Sequence, residues 1–258
     1  MTYIWTLPRW FALPVALSAI LLGVAVSGTA TLSTLFAVLA GLCAMAEAHT
    51  LNTWLDYHWT GLDKEGEGHS LEKPYTSGSQ VIAKKQASSR AVLITAAVYF
   101  SLGLVFASVV SLQTNSFVPI VLYLLLSSLS FAYSIGKLYY ACELVLGLGF
   151  GPLATMMGAS SVLNPDYLRA ALAGIPIMLI FGFAAEVFDQ WYDSEGNWER
   201  GLRNIGALTY HYDLSVSGVV GAFVLLTFAS QFALISTGIL SVWTFITLPA
   251  LVSIPLLY

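Results

Sequence analysis

Long runs of apolar residues with almost no charge recur along this chain, and they constrain its fold more than any other feature. The runs at 91–110 and 117–133 are two of them. Each approaches the ~20 residues that a helix needs to cross the hydrocarbon core of a bilayer. Composition agrees: 57% of the residues are hydrophobic and only 9% are charged, whereas soluble domains carry roughly 25% charged residues. A soluble fold of this length has nowhere to hide so much apolar surface. The expected class is all-α, a polytopic membrane helical bundle.

The apolar runs give eight candidate transmembrane helices, at about 8–27, 32–57, 84–110, 117–135, 139–161, 167–193, 207–232 and 236–257. Glycine and proline inside them do not exclude helix, because neighbours in a bundle re-satisfy the backbone. The first run has the length of a signal-peptide core. One preceding basic residue, Arg9, an internal Pro14 and the many later runs favour a first membrane helix instead. No linker or low-complexity segment marks a second domain, so residues 1–258 are expected to form one. A net charge of −4 gives no sign of nucleic-acid binding. Cys43 and Cys142 lie in apolar runs without C-x-x-C spacing and read as small core residues.

Basic residues set the orientation. Arg9, Lys64, Lys73, Lys84, Lys85, Arg90, Lys137, Arg200 and Arg203 precede the first helix or follow the second, fourth and sixth, all on one side of the membrane. Only Arg169 falls on the other side. By the positive-inside rule the basic side is cytoplasmic. The long polar connections, 58–90 and 194–206, are on that side, and the opposite loops at 111–116 and 162–166 are short and nearly uncharged. Function is expected at the cytoplasmic face.

Two acidic clusters stand there. Asn52 and Asp56 are four residues apart near the end of the second helix and share one of its faces. Gly61 is expected to end that helix, which lets Asp63 fold back toward them. Glu186, Asp189 and Asp193 close the sixth helix at i, i+3 and i+7, again on one face. A charge at the bilayer centre costs about 2.5–3.5 kcal/mol or more, and aligned carboxylates repel one another, so a cation is expected between them. Oxygen-only ligands favour a hard ion, and Mg²⁺ takes one or two carboxylates together with phosphate oxygens and water. Two facing clusters joined through metal to one diphosphate make a site that ionises an allylic diphosphate. Either cluster alone also reads as a solvated helix end.

Basic partners are at hand. Lys137 stands in the short loop after Tyr133-Ser-Ile-Gly, and Lys73, Arg90, Arg200 and Arg203 are in the long loops. Singly, each loop residue also reads as an orientation signal. Trp54, Tyr57, Trp59, Trp191 and Tyr192 flank the acids. Their ring faces suit a carbocation and suit a membrane interface equally. His49 shares a face with Asn52 and Asp56, either lining a cavity or serving as a core histidine.

At these residues the sequence resembles the UbiA superfamily of membrane prenyltransferases. The family's N-x-x-x-D…D, D-x-x-x-D and Y-x-x-x-K motifs read here as Asn52…Asp56…Asp63, Asp189…Asp193 and Tyr133…Lys137. Lys73-Pro-Tyr-Thr-Ser-Gly78 is similar to R-P-x-P-S-G. Arg9…Pro14 is similar to an opening R-P…L-P, and Gly201-Leu-Arg203 to G-K-R. Glu143-Leu…Phe150-Gly-Pro-Leu153 resembles the G-E-L…F-G-P-L of the menaquinone-type branch. The match runs in order from residue 9 to about 208. Departures occur at Thr60, where a family aspartate is common, and at Ala185 and Glu186, where the family has asparagines.

The resemblance implies a bundle of about eight helices against a family norm of nine, around a central cavity. It implies two pseudo-repeated halves, roughly 1–135 and 136–258. It implies two Mg²⁺ ions, a prenyl diphosphate donor and a small aromatic acceptor, such as a quinone precursor. Asn52, Asp56, Asp63, Asp189 and Asp193 would serve the metals, with Lys137 and Tyr133 in the catalytic set. Arg9, His49, Lys73, Arg90, Glu186 and Arg203 would bind substrate. A terpene cyclase of the same superfamily, with no acceptor, is the rival enzyme. A carrier of anionic isoprenoid lipids is the rival from another class.

Overall fold

Among the described residues seven apolar helices order the molecule, and the second of them runs through its middle. The computed structural model describes residues 7–9, 12–61, 81–191 and 194–244. In chain order the helices are α1 (Leu13–Ser27), α2 (Leu32–His58), α3 (Ser89–Thr114), α4 (Val118–Gly136), α5 (Cys142–Ala159), α6 (Tyr167–Trp191), the short α7 (Ser194–Glu199) and α8 (Ile205–His211), and α9 (Val216–Ser236). No strand occurs among the described residues. Six of these, α2 to α6 and α9, are long and apolar enough to cross a membrane, and α1 is a shorter apolar helix.

The expected spans coincide with the observed helices up to the sixth. The first helix is shorter than expected because Pro14 occupies its first turn, where a missing N–H costs nothing. The seventh span needs correcting. A helix from 207 is interrupted at Asp213, whose φ of 50° breaks the helical path, and α9 begins only at Val216, capped by the Ser215 side chain on Gly218 N. What precedes it is the separate α8, capped in turn by Asn204 Oδ1 on Ala207 N at 2.7 Å. Of the eighth span, 236–257, the described part is not a membrane helix, since α9 ends at Ser236 and residues 237–243 form turns and bends; residues 245–257 lie outside the described residues.

Small residues let the helices approach closely. A Cβ built on Gly158 of α5 would sit 1.8 Å from the Ile20 carbonyl oxygen of α1, and one on Gly182 of α6 would sit 2.2 Å from Gly147 Cα of α5. Without a hydrophobic driving force between helices in lipid, such contacts supply the packing. α5 and α6 each carry a π-helical stretch, Gly149–Leu153 and Met178–Ala185. Pro152 lies within the first and lacks a donor N–H, a local cause for the wider turn. The outer faces of α3 and α9 remain apolar and exposed, with Val98, Val105, Leu225 and Phe232 among them. Those faces suit lipid.

The alternating helices divide the bundle into two ends. At one end Ser33 Oγ donates to Gln113 Oε1 at 2.7 Å, and Arg169 reaches the Gly238 carbonyl at 2.7 Å. At the other, α2, α4 and α6 all terminate, α3 begins, and α7 and α8 lie.

Candidate functional site

The C-terminal turns of α2 and α4 meet through a polar cluster. Lys137 Nζ lies 2.5 Å from Asp56 Oδ2 and 3.3 Å from Asn52 Oδ1. Asn52 Nδ2 donates to the same Asp56 oxygen at 2.8 Å, and Ser134 Oγ donates to Asn52 Oδ1 at 3.2 Å. Thr60, in the loop after α2, donates to Asp56 Oδ1 at 3.3 Å. Asn52 and Asp56 are each 4% exposed, so this is no solvated helix end. The local cause is the i, i+4 spacing, which aims both α2 side chains at the end of α4. Gly61, at φ 74°, then turns the chain out of the helix.

Across from this cluster stands the end of α6. Tyr133 of α4 donates to Glu186 Oε1 at 2.6 Å, and Gln190 Nε2 donates to the same oxygen at 2.6 Å. Between the two sides opens a cavity of about 180 Å³. Its polar end is formed by Arg9, His49, Asn52, Tyr133, Glu186 and Asp189. Its deeper wall is apolar, with Ile20, Met45, Leu129, Phe150 and Phe181, and the Phe150 and Phe181 rings are 4.7 Å apart. A charged mouth over an apolar shaft accommodates an amphiphile that carries an anionic head and a hydrocarbon tail.

The remaining expected residues are distributed differently. Arg203 is turned away from the cavity. Its guanidinium lies 4.2 Å over the Trp198 ring and donates to the Trp198 and Leu202 carbonyls. Arg90 is exposed in the first turn of α3 and does not line the cavity. Asp63, Lys73 and Asp193 lie outside the described residues. Among the described residues, no group of three or more His, Cys, Asp or Glu side chains converges to hold a metal.

Two residues matter that the motif spacing did not single out as site residues. Glu143 is fully buried at the start of α5. Its Oε1 accepts the Ile205 N–H at 2.5 Å, and Oε2 accepts from Cys142 Sγ at 3.2 Å, so it holds α8 against the bundle. Two backbone bonds reinforce that seam, Arg203 N to Lys137 O at 2.6 Å and Tyr140 N to Arg203 O at 2.7 Å. The acid within an apolar run was the available signal. Glu47 is the second, 3% exposed in mid-helix beside Ser127 and Tyr123, and it does not itself line the cavity.

Solved structures share this fold. A UbiA homologue from Aeropyrum pernix K1 aligns with a TM-score of 0.69 at 17% identity, over 96% of this chain and 86% of that one. A structure of digeranylgeranylglyceryl phosphate synthase in membranes aligns at 0.61 and 16% identity, over 100% and 88%. A UbiA homologue from Archaeoglobus fulgidus, bound to DMAPP and Mg²⁺, aligns at 0.54 and 15% identity, over 100% and 85%. Identities this low carry the fold. No curated protein matches the sequence. The family model of the UbiA prenyltransferases matches residues 12–258, nearly the whole chain. This integral membrane protein belongs to the UbiA prenyltransferase family.

Proposed function

We propose that this protein transfers a prenyl group from its diphosphate to a small acceptor of aromatic type, with Mg²⁺ in the site. The observation that carries the reading is the cavity itself. Asn52, bonded to Asp56, lines one side of its mouth, Asp189 lines the other, and an apolar shaft lies beneath. The A. fulgidus homologues bound to DMAPP or GPP with Mg²⁺ support the same substrate class.

The donor set fits a hard cation. Asn52 Oδ1 and Asp56 Oδ2 already converge on one positive point, the Lys137 ammonium at 3.3 and 2.5 Å. Those two oxygens, with Asp189 opposite and Asp63 and Asp193 from the adjoining segments, would hold two Mg²⁺ ions. Bound there, Mg²⁺ offsets the charge that develops on the departing diphosphate.

The chain's own groups do the rest. Lys137 and Arg9 supply fixed positive charge at the mouth, where the diphosphate rests. The apolar wall at Phe150 and Phe181 keeps water from the tail and from the allylic cation, and ring faces stabilise such a cation. Tyr133, held on Glu186, presents its ring at the boundary between the two zones. The mouth is on the cytoplasmic side in this reading, because Arg9, Lys84, Lys85, Arg90, Lys137, Arg200 and Arg203 all gather at that end.

The test is pyrophosphate release from geranyl diphosphate by the detergent-purified protein, with product masses read with and without a phenolic acceptor. Release that requires Mg²⁺ and a prenylated acceptor are the expected results. Release with only cyclic hydrocarbon products assigns a cyclase, and no release at all assigns a carrier. Full turnover in excess EDTA removes the metal from the mechanism.

A further inference from the structure

Glu186 is a carboxylate inside the cavity for which the binding of metal and diphosphate leaves no task. It lines the wall, and both of its hydrogen-bond donors meet one oxygen: Tyr133 Oη at 2.6 Å and Gln190 Nε2 at 2.6 Å, each on Oε1. Among the described residues nothing donates to Oε2, which is left to the cavity. The arrangement is rigid. Gln190 is buried, its Nε2 also lies 3.7 Å from Cys142 Sγ, and Gly206 of α8 packs so closely on it that a Cβ there would sit 2.7 Å from Gln190 Cβ. Two neutral donors on one carboxylate oxygen stabilise the anionic form and fix the direction of the other oxygen.

Its height along the bundle is informative. α6 runs toward the polar mouth, so Glu186, three residues before Asp189, lies about 4.5 Å deeper along the helix axis. A diphosphate at the level of Asp189 puts its allylic carbon at the level of Glu186. His49 lines the same cavity, but its ring lies near Phe150, at 6.4 Å between centroids, and its Nε2 has no hydrogen-bond partner among the described residues. Nothing orients it as the two donors orient Glu186.

We infer that Glu186 Oε2 is the proton acceptor that ends the reaction, an inference that rests on the prenyl diphosphate reading of this site. The carbon–oxygen bond of the allylic diphosphate breaks, and its electron pair leaves with the diphosphate. In transfer, a lone pair or ring π pair of the acceptor forms the new bond to the allylic carbon, and the acceptor's proton passes to Oε2. In cyclisation, a C–H bond beside the cation gives its electrons to a new double bond, and that proton passes to Oε2. Both routes release one proton per diphosphate, and Oε2 is the carboxylate oxygen set at this depth to take it. The acceptor class that follows is a neutral nucleophile that loses a proton, a phenol or an electron-rich arene.

The experiment compares wild type, Glu186→Gln and Glu186→Asp, each eluting as a single monodisperse peak. Geranyl diphosphate and Mg²⁺ are supplied with and without a phenolic acceptor. Two quantities are read: pyrophosphate release, and the share of geranyl groups that end in proton-loss products (geranylated acceptor or olefin) instead of the water-capture alcohol. The amide of Glu186→Gln still accepts from Tyr133 and Gln190 but cannot take up a proton, so the proton-loss share per pyrophosphate released should fall at least tenfold. Glu186→Asp, which keeps a carboxylate, should recover part of that share. An unchanged share in Glu186→Gln overturns the inference. So does a parallel loss of pyrophosphate release, which would make Glu186 part of the ionising machinery, and so does a wild type that yields only alcohol. A wild type that releases no pyrophosphate fails earlier, on the prenyl diphosphate reading itself.

Discussion

At the scale of single residues, Asp56 and Asp189 test the paired site most directly. Asp56 is held by Lys137 and Asn52 at the end of α2, and Asp189 lines the cavity from α6. If each carboxylate only solvated its helix end, asparagine would be a mild replacement. It keeps size and polarity, and burial becomes cheaper. If the two hold metals on one diphosphate, Asp56→Asn and Asp189→Asn each remove a negative ligand that Mg²⁺ requires. At about 1.36 kcal/mol per tenfold, a loss of several kcal/mol means a rate lower by two or more orders of magnitude. Folding should survive, and the double variant should lose far less than the product of the single losses, because both act on one leaving group. Turnover of monodisperse single and double variants is the measurement. Near-native rates in both single variants would sink the site. The sequence alone reached Asn52 and Asp56 through their spacing. It held no sign that Arg203 turns onto Trp198, since that depends on where the loop folds.

At the scale of elements, the contact between α5 and α6 sets the width of the cavity, whose lining includes Gly149, Phe150 and Phe181 from those helices. Gly182 meets Gly147 backbone to backbone, and a Cβ added to Gly182 would sit 2.2 Å from Gly147 Cα. Backbone cannot yield as a side-chain tip does, so Gly182→Ala must push the helices apart. Overpacking of this kind costs typically ~1–3 kcal/mol. Gly221 of α9 is the internal comparison, because a Cβ there meets nothing within 4 Å. Gly221→Ala should be neutral or stabilise by a few tenths to ~1 kcal/mol through helix propensity. Thermal unfolding in detergent, followed by circular dichroism, should show a lower midpoint for Gly182→Ala and no decrease for Gly221→Ala. Equal midpoints would refute the close-contact account. Helix existence was legible here from apolar length. The break at Asp213 and the separate α8 were not read, although His211, Asp213 and Ser215 interrupt the apolar run there, because the left-handed turn and the cap that separate the two helices are features of the folded backbone.

At the scale of the whole molecule, the two ends of the bundle differ in charge. Of the described basic residues, only Arg169 lies at the end opposite the cavity mouth, bound to the Gly238 carbonyl. The mouth is therefore expected to face the cytoplasm. Reporter fusions in the loop at 137–141 should read as cytoplasmic and fusions at 162–166 as external. The reverse pattern would overturn the orientation. The sequence by itself determined that the chain is a membrane bundle, because apolar run length and scarce charge are local quantities that a bilayer reads directly. It also determined that the acids gather at one end, since alternating spans deliver the ends of α2 and α6 to the same side. Only the tertiary structure decided which partners those acids meet. That Lys137 bonds Asp56, that Tyr133 and Gln190 turn Glu186 toward the cavity, and that Glu143 holds α8 are contacts between residues 4 to 81 positions apart. Helical periodicity fixes the face on which a side chain stands, and packing between helices fixes what that face touches.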